Sequence, residues 1–95
     1  MPYKGLIYTN SGYKSINTTG GYSFQIKART AIVVIYDDYY GSFNSFLITG
    51  KGSVEQIVSS YSPQLELVYE GDASFLVKSN SGNYGCYVSI LNLGM

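Results

Sequence analysis

Hydrophobic and polar positions alternate with a period of two along most of this chain, the spacing of strands whose successive side chains face opposite sides of a sheet. Tyr22, Phe24, Ile26 and Ala28 alternate with Ser23, Gln25, Lys27 and Arg29. Leu65, Leu67 and Tyr69 alternate with Glu66, Val68 and Glu70, and Ala73, Phe75 and Val77 carry the pattern on to Ser79. Phe43 to Thr49, Val54 to Ser59 and Tyr84 to Leu93 predict further strands. The runs are separated by turn chemistry: Asp37-Asp38-Tyr39-Tyr40-Gly41, Gly50-Lys51-Gly52, Ser60-Tyr61-Ser62-Pro63, Gly71-Asp72 and Asn80-Ser81-Gly82-Asn83. Six to seven short strands without a helical period predict an all-β fold, a small antiparallel β-sandwich.

One run breaks the alternation. Ala31 to Tyr36, AIVVIY, is apolar on both sides of the strand it forms, with Ala31, Val33 and Ile35 on one face and Ile32, Val34 and Tyr36 on the other. One face belongs in the core of the domain. The other needs a second cover, and closed homo-oligomers are the common way to supply one. Ile32, Val34 and Tyr36 are therefore the expected oligomer interface.

The first twenty residues are rich in Tyr, Ser and Asn and poor in aliphatics. Leu6-Ile7-Tyr8 and Tyr13 to Ile16 flank Asn10-Ser11-Gly12, which reads either as a hairpin turn or as part of an extended arm on a neighbouring chain. The organisation expected is an N-terminal hairpin or arm over residues 1–20 and a β-sandwich domain over 21–95.

Composition narrows the function. The six basic and six acidic residues leave no net charge, and the basic ones (Lys4, Lys14, Lys27, Arg29, Lys51 and Lys78) are scattered. Affinity for nucleic acid rests on neutralising phosphates, so no nucleic-acid partner is expected. No apolar run reaches the roughly 18 residues of a membrane-spanning helix, and no membrane insertion is expected. Met1 leads into Pro-Tyr-Lys-Gly rather than a signal peptide, so synthesis in a cytoplasm without export by that signal is expected.

The chain has no histidine, which removes the Ser-His-Asp and Cys-His nucleophilic systems and histidine-ligated zinc. Its single cysteine, Cys86, lies in an apolar run and reads as a small buried hydrophobe. Asp37 and Asp38 are adjacent, so their side chains diverge in extended chain and make a poor catalytic carboxylate pair. Gly50-Lys51-Gly52-Ser53 lacks the spacing of a phosphate-binding loop and reads as a turn. No catalytic residue, metal or cofactor is expected, and the protein reads as a non-enzyme. Eleven tyrosines against four phenylalanines and no tryptophan favour a binding surface, since tyrosine joins a stiff apolar ring to a polar tip. Asp37, Asp38, Tyr39 and Tyr40 form the most polar-aromatic loop and are the candidate ligand-binding residues. The alternative is packing of these tyrosines over a sheet edge.

Gly20-Gly21-Tyr22-Ser23-Phe24-Gln25-Ile26, Ala28 to Tyr36, Phe46-Leu47-Ile48-Thr49-Gly50 and the turn-plus-strand Asn80 to Leu93 carry a wider likeness. In strand order and composition this segment resembles the small C-terminal β domains of bacteriophage tail fibres, tail spikes and related receptor-binding proteins. The resemblance implies a jelly-roll-like sandwich that forms a homotrimer at a fibre tip in the virion tail. It also implies contact with a host cell-surface glycan or protein, or service as a trimer clasp. The family offers no fixed binding residues to place on these positions. A second expectation is a small intracellular phage inhibitor that binds a host enzyme, and a third is a glycan-active enzyme using carboxylates.

Overall fold

The inward-facing positions of the alternating runs meet in one hydrophobic core between two antiparallel sheets. The computed structural model describes residues 6–38, 41, 43–59 and 65–93. Among these residues are eight strands and no helix: β1 (Leu6–Ile16), β2 (Tyr22–Gln25), β3 (Thr30–Asp37), β4 (Phe43–Thr49), β5 (Val54–Ser59), β6 (Leu65–Gly71), β7 (Ser74–Ser79) and β8 (Tyr84–Leu93). A five-stranded sheet has the order β1-β8-β3-β4-β5 and a three-stranded sheet the order β2-β7-β6. The arrangement is an all-β, sandwich-like fold.

The core draws on both sheets. Ile16, Ala31, Val33, Ile35, Ile48, Cys86 and Val88 come from the larger one, and Phe75 and Val77 from the smaller; all are at most 1% exposed. Phe24 stacks on Phe75 with ring centroids 5.9 Å apart, which fixes β2 against β7. Burying a side chain of this size contributes roughly 1.5–3 kcal/mol, so the Phe75 layer is a main source of cohesion between the sheets.

Two segments depart from the sequence expectation. Of the two readings of Asn10-Ser11-Gly12, the hairpin is not formed, and the extended segment lies on its own chain: residues 6–16 make one edge strand, paired with β8 from Leu6↔Leu93 to Ile16↔Tyr84. The turn-prone residues serve as a β-bulge instead, with the register shifting between Asn10 and Gly12 and Gly12 at φ 78°. The second departure is the expected strand from Tyr22 to Arg29. Its pairing stops at Gln25, although Ile26 and Ala28 stay buried. Here the chain crosses from the smaller sheet to the larger, and irregular bonds replace the ladder. Ile26 N–H donates to the Ala73 carbonyl at 3.0 Å, and Lys27 N–H to Asn92 Oδ1 at 3.3 Å.

The crossing from β1 to β2 is set by two local devices. Asn17 Oδ1 accepts from the backbone N–H groups of Thr19 (2.9 Å) and Gly20 (2.7 Å), an Asx turn that reverses the chain. Gly21 then passes so close to the Val77 carbonyl that a Cβ at this position would overlap it. No other residue fits there without moving β7.

Candidate functional site

The alternation of β3 places Ile32, Val34 and Tyr36 on the outer side of the five-stranded sheet, opposite the core-facing Ala31, Val33 and Ile35. Register then decides their neighbours. Tyr13 lies opposite Tyr87, Tyr87 opposite Tyr36, and Tyr36 opposite Phe43, so four aromatic residues form one row across β1, β8, β3 and β4. Their exposures are 55%, 40%, 41% and 38% in that order. The rings of Tyr13 and Tyr87 meet edge-on at 5.4 Å, and those of Tyr36 and Tyr87 are tilted at 6.3 Å. Gly85 makes this row possible, because the Tyr13 ring occupies the space its Cβ would take.

Two residues further along β3, Val34 lies between Ser89 and Ser45; two further again, Ile32 lies between Leu91 and the exposed Leu47. The charged residue in register with these rows is Glu55, opposite Leu47 at the edge strand. Taking about 4.8 Å between strands and 3.3 Å per residue, the outermost Cα positions of this face span roughly 14 by 13 Å. With side chains added, that approaches the largest apolar patches found on monomers and is enough for the centre of a subunit interface.

The candidate loop is divided by the same alternation. Asp37 is the last residue of β3, in phase with Ala31, Val33 and Ile35, and its side chain is 1% exposed. It lies opposite Cys86, itself 0% exposed. Burial, with a smaller contribution from the Asp37 charge, pushes the Cys86 thiol up to about 11, so it stays protonated and inert at neutral pH. Asp38 is exposed. Its backbone N–H donates to the Gly85 carbonyl at 2.9 Å. Tyr39 and Tyr40 lie outside the described residues. Of the four candidate ligand residues, the structure thus places one inside and one outside, and does not bring those two to one surface.

A second feature was not singled out in the sequence. An open cleft of about 610 Å³ lies where three connections meet: β2–β3 (Lys27, Ala28, Arg29), β4–β5 (Gly50, Lys51) and β6–β7 (Asp72, Ala73), with Tyr69 as a further wall. Backbone and side-chain hydrogen bonds tie these turns together. Gly50 N–H donates to the Arg29 carbonyl at 2.9 Å, and Gln25 Nε2 to the Asp72 carbonyl at 2.7 Å. Gly52, at φ 106°, lies against the Tyr69 ring, with 2.6 Å from its would-be Cβ to Tyr69 Cδ2. Tyr69 is held on its other side by Phe75, ring centroids 5.3 Å apart. Asp72 and Ala73 both have positive φ, 50° and 60°, as a two-residue type I′ hairpin demands.

Comparison with protein-family models, with curated proteins and with solved structures yields no match to this chain.

Proposed function

We propose that this protein is a non-enzymatic, self-assembling β-sandwich module of the kind found at bacteriophage tail-fibre tips. Copies join through the outer face of the five-stranded sheet, centred on Ile32, Val34 and Tyr36, to give a jelly-roll-like homotrimer. The surfaces left free then contact a host cell-surface glycan or protein from the virion tail. The observation that carries this reading is the row Tyr13, Tyr87, Tyr36 and Phe43 standing over Val34, Ile32, Leu91 and Leu47. Such a face is suited to self-association: its outer rows are aromatic and aliphatic, Ser45 and Ser89 beside Val34 are small and uncharged, tyrosine hydroxyls can pair at a polar rim, and a chain of zero net charge carries no net repulsion between copies. The resemblance of Gly20 to Leu93 to tail-fibre and tail-spike β domains supports the same reading.

Sedimentation velocity tests it. The wild-type protein is expected to sediment as a trimer and Val34→Asp as a folded monomer, because an unpaired carboxylate cannot be buried at the centre of an apolar contact. Val68→Asp, on the outer face of the other sheet, is expected to leave the trimer intact. A monomeric wild-type protein would remove the assembly, and a trimer that survives Val34→Asp would move the interface elsewhere.

A further inference from the structure

From the cleft at the β2–β3, β4–β5 and β6–β7 connections we infer a second, independent site, one that binds a small phosphate-bearing ligand. Three of the chain's six basic residues, Lys27, Arg29 and Lys51, line this one cleft. Lys27 and Arg29 come from one connection and Lys51 from another more than twenty residues on, so only the fold brings Lys51 to the other two. Asp72 is the single carboxylate among the lining residues: three cations and one anion leave a surplus of two positive charges. Among the described residues none of the three cations is in an ion pair; the pair formed there is Lys78 with Glu66. Gathering a surplus of like charge in one cleft works against the folded state and does nothing for the core. A dianionic ligand supplies what is missing.

The chemistry of the walls selects among anions. A guanidinium offers a planar fork that matches two oxygens of a phosphate, and an ammonium supplies a compact point charge beside it. A surplus of two charges suits a phosphomonoester, which carries nearly two negative charges at neutral pH, better than a carboxylate with one. The volume of about 610 Å³ accommodates more than the phosphate group alone and lies in the usual range for small-molecule sites. Tyr69, clamped between Gly52 and Phe75, gives the remainder of the ligand a fixed aromatic wall. The ties between the turns mean that little ordering is left to occur on binding. Two sources share this chemistry, free phosphate and phosphate carried on a sugar.

Amide chemical shifts of the full chain under titration decide the matter. Glucose 6-phosphate is expected to move the amides of residues 27–29, 50–52 and 69–73, and glucose to move none of them. Raised salt weakens the effect. Inorganic phosphate moving the same amides at equal concentration assigns the free ion as the source; a response to glucose 6-phosphate at much lower concentration assigns the sugar-borne group. Arg29→Gln with Lys51→Gln is expected to weaken binding at least about tenfold, the loss of one or two charge-assisted hydrogen bonds. Both side chains are exposed. The rest of the spectrum is therefore expected to hold, and each single substitution serves if the double variant does not fold. No shift with either phosphate, equal shifts with glucose, or undiminished binding by the variants would each overturn the site. None of these results depends on the oligomeric state.

Discussion

The two sheets turn very different surfaces to the outside. The three-stranded sheet presents Ser23, Gln25, Glu66, Lys78 and Glu70, with Val68 and Leu76 set among them. Glu66 and Lys78 face each other across the strands at 3.7 Å, and Ser23 Oγ donates to Glu70 at 3.0 Å. This is the ordinary polar skin of a sheet with one solvated side. The five-stranded sheet presents Tyr13, Tyr87, Tyr36, Phe43, Leu47 and, partly covered, Ile32 and Val34, with Ser45 and Ser89 among them and Glu55 at the edge. Both sheets contribute apolar side chains to the one core, and the buried polar residues Asp37, Asn44 and Asn92 belong to the five-stranded sheet, so the requirements of a core do not explain the difference. The proposed assembly would account for it, since a subunit interface is the place where a second apolar face is useful to a folded domain.

The sharpest way to break this comparison uses neighbouring residues on β3. Val33 is 0% exposed, and Val33→Asp buries an unpaired carboxylate at a cost of several kcal/mol, enough to unfold a domain of this size. Circular dichroism is expected to show loss of the fold. Val34→Asp, one residue along and on the opposite face, is expected to keep the fold and lose the assembly. Two identical chemical changes with different outcomes would establish that the strand has two separate jobs.

Glycines give a second, smaller contrast. Gly21→Ala forces a Cβ into the Val77 carbonyl and is expected to cost about 1–3 kcal/mol, read from denaturant unfolding. The atoms nearest a Cβ at Gly85 belong to the Tyr13 side chain, which is 55% exposed and able to swing aside in Gly85→Ala. Its expected effect is a weaker self-association with little change in monomer stability.

A pH effect follows from the core between the sheets. The Cys86 thiol is raised in the folded state from 9.0 to about 11, chiefly by burial. Between these values the unfolded chain gives up this proton while the folded chain keeps it, so stability falls as pH rises from about 9 towards about 11. Thermal unfolding of Cys86→Ala is expected to lack that part of the slope. Smallest of all is Lys78→Ala on the polar face. The pair with Glu66 is nearly half exposed, and its removal is expected to change stability by less than about 1 kcal/mol.

Much of the fold was legible because burial on a sheet follows a period of two. The two-sided reading of Ala31 to Tyr36 placed Ala31, Val33 and Ile35 inside and Ile32, Val34 and Tyr36 outside, where the structure has them. Carrying that alternation one residue further would also have placed Asp37 inside, but a carboxylate beside a second carboxylate reads as a turn. Asn10-Ser11-Gly12 left a hairpin and an extended arm open, and the in-chain edge strand was not foreseen, for a different reason. Asn and Gly accept positive φ in a hairpin and in a bulge alike, and the deciding partner, β8, lies some eighty residues away. The eighth strand beyond the six to seven expected follows from the same pairing. The cleft was invisible in principle to a reading along the chain: Lys27, Arg29 and Lys51 look scattered until the crossover at residues 26–29 brings them to the β4–β5 turn.

Hydroxyl-radical footprinting across a dilution series tests the central claim most directly, since tyrosines lie on the proposed interface and away from it in the same molecule. The account predicts that Tyr13, Tyr36 and Tyr87 are protected at high protein concentration and become reactive together on dilution, while Tyr69 reacts alike throughout. Equal reactivity of all four tyrosines at every concentration would contradict it.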